Sequence, residues 1–277
     1  MKFTIKNHKL ASIGSQIPFV ASPNVGGALA PKFIVIHYTA SGPDADIARY
    51  FSQKSANVAA HLVVPRDGSI CQCVPFDKVA WHAGQSRWTG KGGRQYSGLN
   101  NSAIGIEIEN WGPLKKSGAG WVSWTGARVE SQKVIEARHK FGAPDCGWEV
   151  FTTVQLETVI AAVQAICAEY AIEDILGHDD IAPGRKSDPG PAWDMATFKA
   201  KVKGEAEDGD AVMIVHCPSG LNIRSGAGAS FPLVHNMLPD GTKVLVHEAS
   251  GKWRYVSVLE ASGKADFSGW VHGDWLV

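Results

Sequence analysis

Cysteine is scarce in this chain: five residues in 277, an odd number, are too few for a disulfide framework, and reduced, mostly buried thiols are expected. Cys71 and Cys73 form a C-x-C in a strand-like stretch, but no second pair stands nearby to complete a metal site, so both read as structural. An excess of either charge is also missing. With 27 Lys plus Arg against 27 Asp plus Glu there is no basic footprint for a nucleic acid or an anionic membrane, so a partner must be read by shape and site chemistry. No stretch approaches the roughly 20 apolar residues of a membrane span, which argues against membrane insertion. The opening segment MKFTIKNHKLASIGSQIPFV lacks the unbroken apolar core of a signal peptide. Synthesis in the cytoplasm is therefore expected, with any target beyond it reached by lysis, a pore or a dedicated secretion machine.

What is present is a chain in two parts. From Lys32 to about Lys203, strand-like and helical segments interleave, beginning with the apolar run Phe33-Ile34-Val35-Ile36 of a buried strand. Further strands are expected at His61 to Val64, Ile70 to Val74 and Ala103 to Glu109. In the last, Ile104, Ile106 and Ile108 alternate against Glu107 and Glu109, which puts one face in a core and carboxylates on the other. Thr152 and Gln155 form a capping box for a helix whose Leu156, Val159, Ile160, Val163, Ile166, Cys167 and Tyr170 recur at helical spacing. The charged segment Lys201 to Asp210 reads as an exposed linker, placing a boundary near 205–211. Beyond it, short β-like runs (VMIVH, LNIRS, KVLVHE, WRYVSVL, GWVHGDWLV) predict a small all-β barrel of SH3 size. That part carries five basic and five acidic residues, leaving 22 of each upstream, so neither part is an electrostatic magnet. The expected architecture is thus an α/β domain at 1–205, its core at about 30–200, followed by a β-barrel at 211–277.

Two stretches can carry chemistry. His37 ends the strand FIVIH, where a sheet delivers side chains to its edge. The Pro- and Gly-rich loop from Gly177 to Pro191 holds His178, Asp179, Asp180, Lys186 and Asp188, and stiff loops of this kind fix side chains for work. If its second half is extended, Lys186 and Asp188 share a side. Two histidines and one carboxylate leave zinc an open fourth position, the pattern of a catalytic site. His37, His178 and Asp188 form one such set, with Glu107 or Glu109 as base and Lys186 as oxyanion partner. From spacing alone, Asp179, Asp180 and His61 stand as alternative ligands.

The segments IVIHYTAS, AHLVVPRDGSICQCVPFDKVAWHAG, NNSAIGIEIEN and GHDDIAPGRKSDPGPAWD resemble the zinc-dependent N-acetylmuramoyl-L-alanine amidases, a family of wall-recycling enzymes, phage endolysins and peptidoglycan recognition proteins. The resemblance covers about residues 30–200 and implies a mixed β-sheet flanked by helices. It assigns one zinc ion per chain to His37, His178 and Asp188, the general base to Glu107, and oxyanion stabilisation to Lys186. His82 and Asn100 become candidate substrate-facing residues. Ala60 stands where some phage members carry a tyrosine, and Glu107 is present, so the chain resembles the glutamate subtype. The implied reaction is hydrolysis of the amide between N-acetylmuramic acid and the first L-alanine of the stem peptide, on peptidoglycan or muropeptides. A non-hydrolytic recognition protein and a cytosolic recycling amidase are the alternatives; no protein partner is implied.

LNIRSGAGASFPLVHNMLPDGTKVLV resembles bacterial SH3 (SH3b) domains of wall enzymes, which implies wall anchoring and, with no signal peptide in sight, an endolysin or other antibacterial wall-lytic enzyme. Trp253, Tyr255, Trp270 and Trp275 are candidates for a peptide groove there, but most of them are expected to fill the core of so small a barrel.

Overall fold

The computed structural model describes residues 2–12, 17–118, 120–142, 144–204, 212–259 and 265–277. The chain divides into two units, Met1–Lys203 and Gly204–Val277. Of the segment expected to link them, Lys201–Lys203 closes a helix, and residues 205–210 lie outside the described residues. No helix among the described residues is long and apolar enough to cross a membrane.

The first unit is built on a mixed sheet. Its strands are β1 (Phe33–Tyr38), β2 (Leu62–Val64), β3 (Cys71–Gln72), β4 (Ala103–Ile108) and β5 (Asp174–Gly177), and its helices are α1 (Ile47–Phe51), α2 (Thr153–Glu169), α3 (His178–Ile181) and α4 (Met195–Lys203). The strand order is β5-β1-β4-β2-β3, parallel throughout except for the antiparallel β2–β3 pair at one edge.

Alternation along β1 and β4 separates two environments. Ile34, Ile36, Ile104, Ile106 and Ile108 enter a large core with Leu62, Val64, Val159, Val163, Ile166 and Phe198. Each such side chain, fully buried, contributes about 1.5–3 kcal/mol. Phe33, Val35 and Ala103 point the other way, into a smaller cluster with Ala83, Leu99, Leu176 and Ile181. The strand-end residues His37 and Glu107 follow that second face.

α2 begins at the expected capping box: the Gln155 N–H donates to Thr152 Oγ1 (3.2 Å) and the Thr152 N–H to Gln155 Oε1 (2.9 Å). Its apolar periodicity is only partly a core stripe. Val159, Val163 and Ile166 are buried, Leu156 and Ile160 pack from the edge, and Cys167 is exposed. Ala161, Ala162 and Ala165 take up core positions instead, because small side chains let the helix lie close on the sheet.

Residues 113–149 depart from the interleaved pattern. Between β4 and α2 they form a separate five-stranded antiparallel sheet, in the order Arg128–Val129, Gly120–Val122, Pro113–Ser117, Cys146–Glu149, Val134–Ala137. Leu114, Trp121 and Val129 make its small core.

The second unit is a four-stranded antiparallel sheet, Val212–Ile214, Lys243–Ser250, Trp253–Leu259 and Ala265–His272 in that order, with Val215 bridging Leu276. LNIRS makes only isolated bridges, at Leu221 to Leu238 and at Arg224 to Leu233 and Trp270. Gly226 and Gly228, which follow it, weaken a continued strand because glycine has the most backbone freedom to lose and no side chain to pack. The aromatic expectation is corrected here. The buried core is aliphatic (Val215, Leu221, Ile223, Leu238, Val244, Val256, Val258, Val271, Leu276) apart from Cys217; Trp253, Tyr255 and Trp270 are half-buried and Trp275 is exposed. The period of the Trp253–Leu259 strand explains it, since Val256 and Val258 face inward and Trp253, Tyr255 and Ser257 have the opposite parity.

Candidate active site

The site lies at the carboxyl ends of three neighbouring strands, where open α/β sheets present ligands. β1 delivers His37, which stands in register with Glu107 of the adjacent β4. β5 runs directly into α3, so that His178 emerges beside them. The turn between β5 and α3 demands glycine: a Cβ on Gly177 would lie 2.2 Å from Asp179 Oδ1 and 2.8 Å from Pro189 Cδ. The Asp179 N–H then donates to the Asp188 carbonyl (2.8 Å), folding the Pro/Gly loop back and returning Asp188 to His178.

His37, His178 and Asp188 are buried, and their metal-binding atoms converge. Nδ1 of His37 is 2.9 Å from Nδ1 of His178, and Asp188 Oδ2 is 2.8 Å from the first and 2.9 Å from the second. The far ring nitrogens are engaged elsewhere: His178 Nε2 lies 3.2 Å from the Ala83 carbonyl, to which it donates, and His37 Nε2 lies 3.0 Å from His82 Nδ1. Arg185 donates to the carbonyls of Ala83 (3.1 Å) and Gln85 (2.6 Å), tying the loop to the segment after His82.

Burial, and then the neighbouring His178, pull the His37 pKa down to about 4, so the ring is neutral. Burial alone would raise the Asp188 carboxyl, but the close ring nitrogens of His178 and His37 outweigh it and hold it well below the usual carboxylate range. Two imidazole nitrogens and a carboxylate oxygen thus converge on one point, an arrangement that a bound cation satisfies. The two-nitrogen, one-oxygen donor set fits zinc with an open fourth position.

A cleft of about 410 Å³ runs over this point, lined also by Thr39, Tyr50, Val58, Trp81, Glu107 and Lys186. Glu107 Oε2 is buried and has no hydrogen-bond partner among the described residues. Burial, reinforced by the charge of Asp188 and opposed by Lys186, raises the Glu107 pKa well above the ordinary glutamate value, the direction that suits a group which takes up and returns a proton. Lys186 is exposed on the cleft wall. The next residue, Ser187, is tied to Tyr38 by a 2.6 Å hydroxyl–hydroxyl hydrogen bond.

The structure separates the residues that spacing left equivalent. Asp179 pairs with His139 (3.0 Å) and Lys140 (2.9 Å), and Asp180 accepts from the Gly177 N–H (2.7 Å). His61 donates to the Lys78 carbonyl (2.9 Å) and accepts from the Gly105 N–H (3.0 Å). Glu109 lies past the end of β4, where its Oε2 accepts from the Arg66 N–H (3.3 Å). None of the four faces the converging donors. His82 reaches the cleft wall, whereas Asn100 spends its Oδ1 on the N–H groups of His82 (3.0 Å) and Ala83 (2.6 Å). Sequence reasoning missed the apolar wall formed by Tyr50, Val58 and Trp81. Trp81 carried a signal beside His82 in AWHAG, but the short α1 that holds Tyr50 carried none.

Residues 27–191 match the family model described as N-acetylmuramoyl-L-alanine amidase (Amidase_2). The chain is 35% identical to the N-acetylmuramoyl-L-alanine amidase AmiD of Escherichia coli K12 over 171 residues, 58% of this chain and 50% of that protein. It is 33% identical to the 1,6-anhydro-N-acetylmuramyl-L-alanine amidase AmpD of the same strain over 150 residues, 53% of this chain and 60% of that protein. A solved complex of E. coli AmiD with anhydro-N-acetylmuramic acid-L-Ala-D-gamma-Glu-L-Lys aligns with a TM-score of 0.45 at 25% identity, covering 82% of this chain and 75% of that one. The chain spans half to three fifths of the length of these two curated relatives. The match across 27–191 is well over half of the chain, and the chain belongs to the N-acetylmuramoyl-L-alanine amidase (Amidase_2) family.

Proposed function

We propose that this protein is a zinc-dependent N-acetylmuramoyl-L-alanine amidase that hydrolyses the amide between N-acetylmuramic acid and the L-alanine of the stem peptide. One observation carries the reading: three metal donors converge in the cleft that also holds a buried, unpartnered Glu107 and the Lys186 ammonium. The names of the curated relatives support the bond cleaved.

His37, His178 and Asp188 would hold the zinc ion, which when bound would supply Lewis acidity toward the amide carbonyl and toward a water. Glu107 accepts the proton released as that water attacks, and passes one to the departing alanine amine. Its raised pKa suits both transfers. Lys186 faces the same cleft and offsets charge developing on the amide oxygen. Tyr50, Val58 and Trp81 form the apolar side of the cleft, against which non-reacting parts of the substrate lie and exclude water. Ala60 at the tyrosine position, together with Glu107, supports the glutamate subtype.

The second unit is read as an SH3b-like wall-binding domain, and the whole as a wall-lytic enzyme of endolysin type acting on the wall after release or secretion. Its aliphatic core leaves a Tyr255–Trp270 pair, with rings 5.5 Å apart, free of core packing, which supports a ligand-binding face.

The test is release of new N-terminal alanine from purified sacculi and from a soluble anhydro-muropeptide, with and without chelator. Zinc-restored release is expected, and Glu107→Gln or Lys186→Ala lowers it by about 10²–10⁴-fold while zinc stays bound. Absence of zinc-dependent release from either substrate overturns the reading. Cleavage of the muropeptide alone redirects it to a recycling enzyme.

A further inference from the structure

His82 was a candidate substrate-facing residue, but its hydrogen bonds run inward. Its Nε2 lies 3.2 Å from the Ala103 carbonyl, which can only accept, so Nε2 carries the proton. In the neutral ring, Nδ1 is then a bare acceptor, and it lies 3.0 Å from His37 Nε2. His37 must therefore donate from Nε2, which leaves its Nδ1 without a proton. That nitrogen faces His178 Nδ1 and Asp188 Oδ2. The chain Ala103 carbonyl, His82, His37 thus has a single consistent direction.

The ring is also held mechanically. It lies over Gly105 of β4, where a Cβ would come within 2.4 Å of His82 Cγ and 2.6 Å of Nδ1. The backbone N–H groups of His82 and Ala83 both donate to Asn100 Oδ1, which pins the segment that carries the ring. The two rings meet edge to face, with centroids 5.1 Å apart and planes at 84°.

We propose that His82 is a positioning residue of the metal centre: it fixes the tautomer and orientation of His37, so that Nδ1 of His37 is presented to zinc. Asn100 and Gly105 hold His82 in that pose. The inference rests on the reading of His37, His178 and Asp188 as metal ligands. It gives this histidine the part that an outer-shell carboxylate or carbonyl plays for most metal-bound histidines.

The experiment measures zinc affinity, by competition with a chromophoric chelator, in full-length metal-free wild type, His82→Ala, His82→Asn and His82→Gln, with the thermal midpoint of each metal-free protein recorded alongside. An Asn side chain places its oxygen near the Nδ1 position and accepts from His37; Gln places its amide near the Nε2 position and does not. Zinc affinity is expected to fall by about 10–100-fold in the Ala and Gln variants, with most of the loss recovered in Asn. Affinities within about twofold of wild type in all three overturn the proposal, as does a KM increase with unchanged zinc affinity, the mark of a substrate contact. Equal losses in Asn and Gln, tracking lost thermal stability, assign His82 to packing and overturn it as well. If wild type itself takes up no zinc, the metal reading falls and this one with it; equal uptake by every variant removes this one alone.

Discussion

His61 shows how one residue type serves opposite purposes in neighbouring positions. Both its ring nitrogens are spent on backbone groups, Lys78 and Gly105, so it braces β2 against β4 and has nothing left to offer a metal. Burial lowers its pKa from 6.5 to about 4, against a smaller opposing effect of the Lys78 hydrogen bond. The folded state therefore needs the neutral ring, while the unfolded chain binds a proton near pH 6.5. The contribution is fully present above that value and is lost as the pH falls from about 6.5 toward 4, an effect on the order of 3 kcal/mol. Urea unfolding of metal-free wild type and His61→Gln across this window should show the stability gap between them narrowing by about that amount. A gap independent of pH would mean that His61 is not the titrating brace described. In the sequence, His37, His61, His82 and His178 look alike; which nitrogen of each is free depends on backbone carbonyls brought in from distant strands.

Among the elements, the inserted sheet at residues 113–149 does more than lengthen the connection from β4 to α2. On one side His139 and Lys140 grip Asp179, and Lys140 also pairs with Asp180 (2.6 Å), so the insert holds the short α3 that begins with His178. On the other, Trp124 Nε1 donates to the carbonyl of Ala40 (2.7 Å), a residue of the cleft wall. Asp179 is only 2% exposed, so removal of its histidine partner leaves one carboxylate oxygen buried and unpaired. His139→Ala is expected to cost about 1–3 kcal/mol in chemical denaturation, more than Arg138→Ala, whose Asp145 ion pair is exposed on both sides. Equal effects would show that the insert does not brace the α3 turn. α2 was legible in advance because capping and periodicity are local properties. The insert was not, since its strands are two to five residues long and the pairing that closes it, Pro113–Ser117 with Cys146–Glu149, joins segments far apart in the sequence.

For the whole molecule, charge balance in each part has a measurable consequence. An ionic attraction to an anionic wall would weaken as the Debye length shrinks from about 30 Å at 0.01 M salt to about 8 Å at 0.15 M. With 27 charges of each sign and no excess in either part, sedimentation of the protein with sacculi should change little over that range. Deletion of residues 211–277 should reduce sedimentation more than it slows cleavage of a soluble muropeptide. A steep salt dependence would assign wall binding to a local basic surface, and unchanged sedimentation of the truncated chain would remove the anchoring role of the second unit. The separate cores of the two units make the truncation a reasonable experiment, because no core residue of the first unit belongs to the second.

Local order in the chain was enough for the buried strands, the capped α2 and the short set of chemically able residues. Each of these is written in hydrophobic period, in capping pairs or in Gly and Pro placement, all of which act over a few residues. Three-dimensional packing was needed to choose within that set. Glu107 rather than Glu109 enters the cleft because β4 ends between them, and Asp188 rather than Asp179 joins the histidines because α3 turns Asp179 toward the insert. The aromatic residues of the second unit left its core for the same kind of reason: strand parity, set by register with the neighbouring strands, assigned the inner face to valines. Selection among like residues depends on contacts between segments far apart in sequence, and no local pattern encodes those.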